Sequence, residues 1–392
     1  MSKNEKILET LKTKGHNLVK TSYNSDDVIV LLEDLSDKMK EMSTEEREAA
    51  IQSGVHYSEM LPQEKEPSTE YEKLFNKALT DKKLEIAGGI AKVSEIMMGY
   101  SNIKDGNVPV IISLARAGIP VGILMKRYIK HKYGIECSHY SISIIRDKGI
   151  DENAMNFIYE QEVIKNNNIV SNFFFIDGWT GKGAIKTQLE EAVKQLKASD
   201  EIKWKHLSDS LFVLADPANI TPFCGTHDDY LLPSACLNST VSGLTSRTIL
   251  NEYVDVDNGD FHGATYFNKF EGIDKSNEFI DIISEEFKNV VGYNSLPLAL
   301  EHGWNGMSIV LDICNLMNVE DYKKVKPGIG ETTRVLLRRV PWKVLINKDI
   351  SIEDPDIQHI LVLCKEKKIA TMRWDLGNYK VCGIIKELSA DA

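Results

Sequence analysis

The chain has 392 residues, and its 47 Lys and Arg against 58 Asp and Glu give a formal net charge of −11. Hydrophobic residues make up 42% and charged residues 27%. This composition excludes a disordered chain, a collagen and a disulfide-stapled miniprotein, and the length predicts two or more domains. The acidic total argues against indiscriminate nucleic-acid binding, although a local basic patch remains compatible with it.

The cysteines and the apolar segments indicate a cytoplasmic protein with reduced thiols. The N-terminal segment is too charged for a secretory signal. Arg116 and Pro120 interrupt the longest apolar stretch, residues 108–125, so we expect no membrane span. The oligomeric state is left open, with a homo-oligomer as one option. The six cysteines are Cys137, Cys224, Cys236, Cys314, Cys364 and Cys382. No two of them have CxxC spacing, and their pattern does not resemble a set of zinc ligands.

The first hundred residues predict a helical N-terminal extension, residues 1–100. Residues 43–54 carry helix start and stop signals, with Ser43 before the segment and Gly54 after it. A second helix is expected to begin after Ser68 and to run towards Met98, with a break at Gly88-Gly89.

Strand-like apolar runs alternate with helix-like segments from residue 108 onwards. The strands are expected within residues 108–113, 136–145, 167–177 and 210–216. Strands separated by helices favour parallel pairing, so residues 101–290 predict an α/β domain with a doubly wound, mainly parallel sheet. In such sheets, ligands bind at the carboxyl ends of the strands.

A second, smaller domain is expected over residues 296–392, because the pattern weakens around residues 289–307 and then resumes at a shorter period. The helix and strand segments there predict a compact α/β/α unit.

The segment from Phe173 to Ile185 is the most informative part of the chain. An apolar strand leads into Asp177 and then into the Gly-rich turn Thr180-Gly181-Lys182-Gly183, which opens a helix at Ala184. Backbone N–H groups in such a turn can converge on a phosphate. The alternative is an ordinary strand–turn–helix whose glycines serve only tight packing.

A second loop follows the first strand of this region. Residues 113–122 are mostly small, which lets backbone approach a ligand closely, and the guanidinium group of Arg116 suits phosphate oxygens. The alternative is an arginine held in a salt bridge at a helix start.

These two loops resemble those of the phosphoribosyltransferase family. The resemblance implies a ribose contact, and a magnesium ion held through water, at Asp177. It implies catalytic roles for Asp177, Arg146, Lys148 and Asp216 in transfer at the anomeric carbon of phosphoribosyl pyrophosphate. The alternatives are a solvated turn for Arg146 and Lys148, and a turn acid before Pro217 for Asp216. Gly178 stands where the family has a second acid. The 5-phosphate loop corresponds to Thr180, Gly181, Lys182, Gly183 and Ala184, and the pyrophosphate loop to Ala115, Arg116, Ala117 and Gly118.

More closely, the chain resembles the bacterial StiP family of tellurium-resistance and stress gene clusters. The matching stretches are residues 54–62, 139–151, 176–185 and 228–248. That family is expected to have a phosphoribosyltransferase fold and is also described as a cysteine protease family. We therefore expect binding of phosphoribosyl pyrophosphate or a nucleotide, with ribosyl-phosphate transfer. The alternatives are a non-catalytic nucleotide sensor, and a cysteine protease with Cys236 as nucleophile and His227 as base.

The window from Tyr322 to Lys348 has eight basic residues and one acidic residue, a local positive patch in an acidic chain. It resembles the Pelota and L7Ae-like RNA-binding domains, which implies an RNA partner for this unit. The alternative is that the basic face docks on the acidic first domain. The residues at RNA-contacting places are Lys326, Gly328, Gly330, Glu331, Thr333, Arg334 and Arg338, with Gly330 where asparagine is usual.

Overall fold

A computed structural model of the protein describes residues 2–103 and 107–386. The predicted domain ranges also include Met1 and residues 104–106 and 387–392, which lie outside the described residues. The strands are β1 (Ile29–Val30), β2 (Glu33–Asp34), β3 (Glu41–Met42), β4 (Leu61–Pro62), β5 (Val110–Leu114), β6 (Ser138–Ile142), β7 (Ile144–Ile145), β8 (Gly149–Ile150), β9 (Phe173–Trp179), β10 (Leu211–Ala215), β11 (Cys224–Thr226), β12 (Gly263–Ala264), β13 (Val325–Pro327), β14 (Pro341–Asn347), β15 (Ala370–Trp374) and β16 (Val381–Ile385). The helices are α1 (Lys3–Thr13), α2 (Thr44–Gln52), α3 (Thr69–Tyr100), α4 (Gly118–Tyr133), α5 (Glu152–Tyr159), α6 (Ala184–Ser199), α7 (Glu201–Trp204), α8 (Pro233–Cys236), α9 (Ser276–Glu285), α10 (Gly306–Met317), α11 (Ile329–Arg338) and α12 (Gln358–Glu366).

The main sheet has six strands in the order β1-β6-β5-β9-β10-β11, and all neighbouring pairs are parallel. One hydrophobic cluster packs α3, α4 and α9 on one face, and a second packs α1, α5 and α6 on the other. Helices on both faces of a parallel sheet account for the buried, nearly continuous apolar strands. The predicted α/β class with a parallel sheet is confirmed. We refer to residues 3–290, which surround this sheet, as the first unit.

The N-terminal hundred residues are more closely tied to the sheet than a helical extension would be. They contain α1, α2 and α3, but β1 pairs with β6 at the edge of the main sheet. Helix α3 continues through Gly88 and Gly89 without the expected break. A Cβ atom at Gly89 would lie 2.8 Å from Leu214, so this glycine allows close packing on β10.

The second unit, residues 306–386, is a mixed four-stranded sheet in the order β13-β16-β14-β15. Only the β14–β15 pair is parallel; β16 is antiparallel to both of its neighbours. Helix α10 packs on one face, and α11 and α12 pack on the other. This arrangement agrees with the expected three layers. We refer to residues 291–305, which lie between the two units, as the connector.

Candidate functional site

The carboxyl ends of β5, β9, β10 and β11 meet along one edge of the main sheet, because the four strands are parallel. Asp216 follows β10, and His227 follows β11. The loops that begin at Ala115 and Thr180 follow β5 and β9. The fold therefore brings together most of the residues that the sequence singled out in the first unit.

The most reactive combination of groups at this edge is a thiol beside an imidazole. The Sγ atom of Cys224 lies 3.7 Å from Nε2 and 3.8 Å from Nδ1 of His227. Cys224 opens the edge strand β11, and the turn after the strand carries His227 back over it. A cysteine with a histidine in hydrogen-bonding range is the basic arrangement of a thiol nucleophile.

A carboxylate lies behind the imidazole ring. Nδ1 of His227 is 3.0 Å from the backbone oxygen of Asp216 and 3.3 Å from its Oδ2 atom. Thr180 donates its hydroxyl to Oδ1 at 2.5 Å, and the backbone N–H of Thr221 donates to Oδ2. The carboxylate is thus held in place by other groups and can fix the orientation of the histidine.

Burial and hydrogen bonding set the charge state of these groups. Burial by itself lowers the pKa of His227, but hydrogen bonds to Asp216 and Cys224 outweigh burial and raise it to about 11. Burial raises the pKa of the Cys224 thiol, and the hydrogen bond to His227 offsets part of that rise. At neutral pH the imidazole of His227 is therefore charged, and the neighbouring thiol of Cys224 is neutral.

The same three groups are arranged so that they could hold a metal ion. One ligand atom each from Asp216, Cys224 and His227 lies within 4.8 Å of the others. Thiolate, imidazole and carboxylate are all ligands that zinc accepts. The site therefore has two chemical interpretations, a catalytic triad and a metal site, and they make different predictions.

Cys236, the cysteine considered first from the sequence, lies elsewhere. It ends the short helix α8, and it is fully buried. Burial raises the pKa of its thiol to about 12, and its nearest charged groups are Arg334 and Arg338 of the second unit. Within the described part of the chain, no histidine is in hydrogen-bonding range of its sulfur atom, whereas His227 pairs with Cys224.

The loop predicted to bind phosphate is covered by the second unit. Lys182 donates from Nζ to the backbone oxygens of Tyr322 and Val325, at 2.7 and 2.8 Å, and Tyr379 donates its hydroxyl to the Gly181 oxygen at 2.5 Å. Burial, with repulsion from Lys326, lowers the pKa of Lys182 to about 8. The cavity beside Thr180 has a volume of only about 20 Å³, which is about the space for a single water molecule.

Gly183 and Ala184 complete that loop at the start of α6. Gly183 has a φ of 95°, in the left-handed region, and Ala184 is the first helical residue. The strand, turn and helix thus follow the expected local geometry.

The loop Ala115–Gly118 packs directly on β9. A Cβ atom at Gly118 would lie 2.4 Å from the Ile176 oxygen, which only glycine tolerates. A guanidinium nitrogen of Arg116 lies 3.3 Å from Glu64 and donates to the Thr245 oxygen at 2.8 Å. Arg116 is therefore held in a salt bridge, although part of it lines an open cleft described below.

The remaining predicted site residues of the first unit differ in exposure. Asp177 is buried, accepts a hydrogen bond from the Gly178 N–H at 2.7 Å, and has its pKa raised to about 7 by burial. Arg146 and Lys148 lie on an exposed turn, with Lys148 4.0 Å from Glu59. Asp216 is fully buried. A magnesium ion at Asp177 stays a prediction.

Several residues expected to contact RNA instead contact the first unit. Arg334 donates from Nε to the Ala235 oxygen and pairs with Glu331 at 2.9 Å. Arg338 donates to the hydroxyl of Tyr71 and to the Cys236 oxygen. In the described structure, the alternative in which the basic face docks on the first domain thus applies to these two arginines.

The start of α11 is also occupied by the first unit. The buried carboxylate of Asp229 accepts hydrogen bonds from the backbone N–H groups of Ile329, at 2.9 Å, and Lys380, also at 2.9 Å. Gly328 precedes the helix with a φ of 92°, and Gly330 lies against Ala235. Thr333 is buried and donates its hydroxyl to the Ile329 oxygen. Lys326 remains half-exposed.

Comparison with known proteins identifies the family. The family described as "Tellurite-like stress resistance cysteine protease StiP" matches residues 21–284. This chain belongs to the StiP family. The cysteine protease StiP of Acinetobacter baylyi is 29% identical over 382 residues, which cover 94% of each chain. Residues 304–387 match the PELOTA RNA binding domain.

These matches confirm the resemblance to the StiP family and to Pelota domains, and they correct the predicted activity. Phosphoribosyl transfer is the wrong reaction, since both the StiP family and its A. baylyi member are named as cysteine proteases. The covered loop at Gly181 and Lys182 gives a physical reason, because it leaves no room for a ribose phosphate. Nothing in the site supports phosphoribosyl pyrophosphate or a nucleotide as a partner.

The sequence did not predict the contact between Cys224 and His227. His227 and Asp216 were both named, but for separate roles, and Cys236 was preferred to Cys224. The available signal was a cysteine in a short strand with a histidine three residues later, next to the end of a neighbouring strand.

Within residues 2–103 and 107–386, none of the helices has the length and apolar character needed to cross a membrane.

Proposed function

We propose that the chain is a cysteine protease in which Cys224 is the nucleophile, His227 the general base and acid, and Asp216 the orienting carboxylate. The observation that carries this proposal is the 3.7 Å distance between Sγ of Cys224 and Nε2 of His227, with Asp216 on the other ring nitrogen. The protease name of the family supports the same class of reaction.

The three side chains have distinct roles in peptide hydrolysis. The thiolate of Cys224 attacks the carbonyl carbon of the scissile bond, and the His227 imidazolium gives its proton to the departing amine. Neutral His227 then removes a proton from water, whose oxygen attacks the thioester. The carboxylic acid product leaves, and the thiolate–imidazolium pair forms again. Asp216 stabilises the imidazolium throughout.

The described state is a resting state in this proposal. Cys224 has no exposed surface, and burial keeps its thiol protonated. Leu298 of the connector packs against the cluster that contains Cys224, and its N–H donates to the Pro222 oxygen next to β11. Movement of the connector would hydrate the thiol and lower its pKa, because water stabilises the thiolate. His227 is already protonated in the resting state, so the thiol proton passes to solvent water and leaves the thiolate–imidazolium pair that begins the reaction.

Two alanine variants test the proposal against the cysteine that the sequence favoured. Cleavage of a denatured protein substrate by Cys224→Ala should fall by at least about a thousandfold, while Cys236→Ala should keep most of the activity. Both cysteines are buried, so melting temperatures must show that each variant is folded. Loss of activity in Cys236→Ala with full activity in Cys224→Ala would reject the assignment.

We further propose that the second unit binds RNA during the response to tellurite-like stress. The match of residues 304–387 to the PELOTA RNA binding domain supports the ligand, and the family description supports the setting. A filter-binding titration at low salt tests RNA affinity, since phosphate contacts strengthen as salt falls.

We also propose a cytoplasmic location. The six cysteines, none of which is in a disulfide, support it.

The finer architecture of the first unit also belongs to this proposal. The strand order β6-β5-β9-β10-β11 corresponds to a doubly wound sheet whose order reverses beside β5. This supports a phosphoribosyltransferase-like fold that carries a different activity, since one fold can serve unrelated reactions. An experimental structure compared with that fold would test it.

A further inference from the structure

A large open cleft lies between the two units. Its volume is about 890 Å³, and its walls include Arg116 and Trp179 of the first unit and Lys326 and Arg339 of the second. We call it the interunit cleft. It is separate from the buried thiol, because neither Cys224 nor His227 lines it.

The interunit cleft is basic although the chain is acidic. Eight lysines and arginines line it, against three glutamates. Two of the glutamates are already neutralised, since Glu64 pairs with Arg116 and Glu331 pairs with Arg334. The net charge of the chain is −11, so this is a local concentration of positive charge.

Arg247 is the cation of the cleft whose surroundings are the most favourable for an anion. Its guanidinium group lies over the ring of Tyr57 at 5.5 Å, and no described carboxylate is within salt-bridge distance. Burial, together with repulsion from Arg47, Arg116 and Arg339, lowers the pKa of Arg247 to about 10. A half-buried cation among other cations is stabilised when an anion enters.

The opposite wall belongs to the unit that matches the RNA-binding domain. Arg334 and Arg338 are used in contacts with the first unit, but Lys326 and Arg339 have no ion-pair partner among the described residues and line the cleft. Trp179 offers a half-exposed aromatic ring at the same place, with Arg334 stacked at 5.3 Å. Basic side chains next to an aromatic ring are the usual features of a single-strand binding groove.

We propose that the interunit cleft binds a short single-stranded segment of RNA, with Arg247 and Arg339 contacting its phosphates from the two sides. This rests on the proposed RNA binding of the second unit and extends it to residues of the protease-family unit. A volume of about 890 Å³ is that of a small-molecule pocket, so the cleft holds a few nucleotides and excludes a duplex.

The experiment uses the full chain and a fluorescent single-stranded 12-nucleotide RNA, with anisotropy measured from 50 to 300 mM salt. Arg247→Gln and Arg339→Gln should each weaken binding roughly tenfold at low salt and reduce the salt slope by about 0.7. Lys194→Gln removes one positive charge from an exposed site on α6 that does not line the cleft, and it should bind RNA like the wild type. Arg339 is exposed and unpaired, so its variant should fold even if the Arg247 variant does not.

Each outcome supports or rejects the proposal. If the wild type binds RNA and both cleft variants bind it equally well, the cleft proposal is wrong while RNA binding by the second unit stands. If the wild type binds no RNA, both fail. If poly-glutamate of the same length competes as well as RNA does, the partner is an acidic peptide and the proposal is rejected. Photo-crosslinking of a 4-thiouridine RNA to the peptides containing Tyr57 or Trp179 would support it independently.

Discussion

The thiol of Cys224 lies 3.7 Å from the imidazole of His227, at the carboxyl edge of a parallel sheet. The pair depends on the fold in two ways. β11 places the cysteine on the edge strand, and the parallel pairing of β10 with β11 places Asp216 beside the turn that carries His227. A thiol, an imidazole and a carboxyl group thus lie together at the ends of two adjacent strands.

The protonation state of His227 predicts how stability depends on pH. Its folded pKa is raised from 6.5 to about 11, so it contributes stability that is fully present below pH 6.5 and is lost as pH rises towards 11. His227→Gln should therefore lower the melting temperature more at pH 6 than at pH 10.

The control for this experiment is His131→Gln, since His131 is exposed on α4. Its effect on the melting temperature should be small and independent of pH. An equal loss of stability at pH 6 and pH 10 in His227→Gln would contradict the charged histidine.

The raised pKa of Asp177 predicts a loss of stability with rising pH at a lower pH range than that of His227. Burial raises its folded pKa from 3.8 to about 7, so the folded state loses stability as pH rises from about 4 to 7, when the buried carboxyl must ionise. Asp177→Asn keeps an acceptor for the Gly178 N–H and removes that charge. The variant should be more stable than the wild type at pH 8 by about 1–3 kcal/mol, and similar at pH 4.

Denaturant unfolding at the two pH values measures this difference. Other buried carboxyls, including Asp151 and Asp229, titrate in the same range, so the comparison between variant and wild type is the informative quantity. A variant less stable than the wild type at pH 8 would show that the Asp177 charge is compensated.

Asp229 predicts how firmly the two units are held together. Its carboxylate accepts hydrogen bonds from the N–H groups of Ile329 and Lys380, both in the second unit. Asp229→Ala leaves these groups without partners and should destabilise the contact by about 2–4 kcal/mol. Limited trypsin digestion should then cut the second unit faster.

The matched control is Asp228→Ala, because Asp228 is the exposed neighbour and its side chain is hydrogen-bonded to Thr226 of its own unit. Its digestion rate should equal that of the wild type. Unchanged digestion of Asp229→Ala would mean that the contact does not depend on this carboxylate.

Metal content separates the two interpretations of the triad. The protease account predicts that purified protein contains much less than one zinc ion per chain, and that added zinc inhibits proteolysis reversibly by occupying Asp216, Cys224 and His227. Elemental analysis by mass spectrometry measures the content. One tightly held zinc ion per chain that disappears in Cys224→Ala would support a metal site.

The sequence predicted the long elements of the fold because they carry long patterns. β5, β9 and β10 are apolar runs buried on both faces, and Ser43 caps α2, which begins at Thr44, as the capping signal predicted. The two-residue strands β1 to β4 have no measurable periodicity, so their pairings could not be read from the sequence. The glycines of α3 were expected to break the helix, yet Gly89 serves contact with β10.

The sequence predicted part of the arrangement at the candidate site. Asp216 was predicted there as a residue at a strand end, and His227 was proposed as a base from its nearness to Cys236 in the sequence. The structure places these two residues next to each other. The sequence favoured Cys236, but the thiol that contacts an imidazole is that of Cys224. This contact could not be predicted, because it depends on how the turn after β11 folds back over the strand. The docking of Arg334 and Arg338 likewise depends on a contact between units that no local pattern encodes.

The most direct test of the account is to map the reactive thiol in active protein. Inactivation by iodoacetamide should proceed in parallel with alkylation of Cys224, measured by peptide mass spectrometry, and both should be normal in Cys236→Ala. In His227→Gln, which lacks the catalytic base, alkylation of Cys224 should be slower than in the wild type. Inactivation that follows alkylation of Cys236, with Cys224 unmodified, would contradict the assignment of the Cys224–His227 pair.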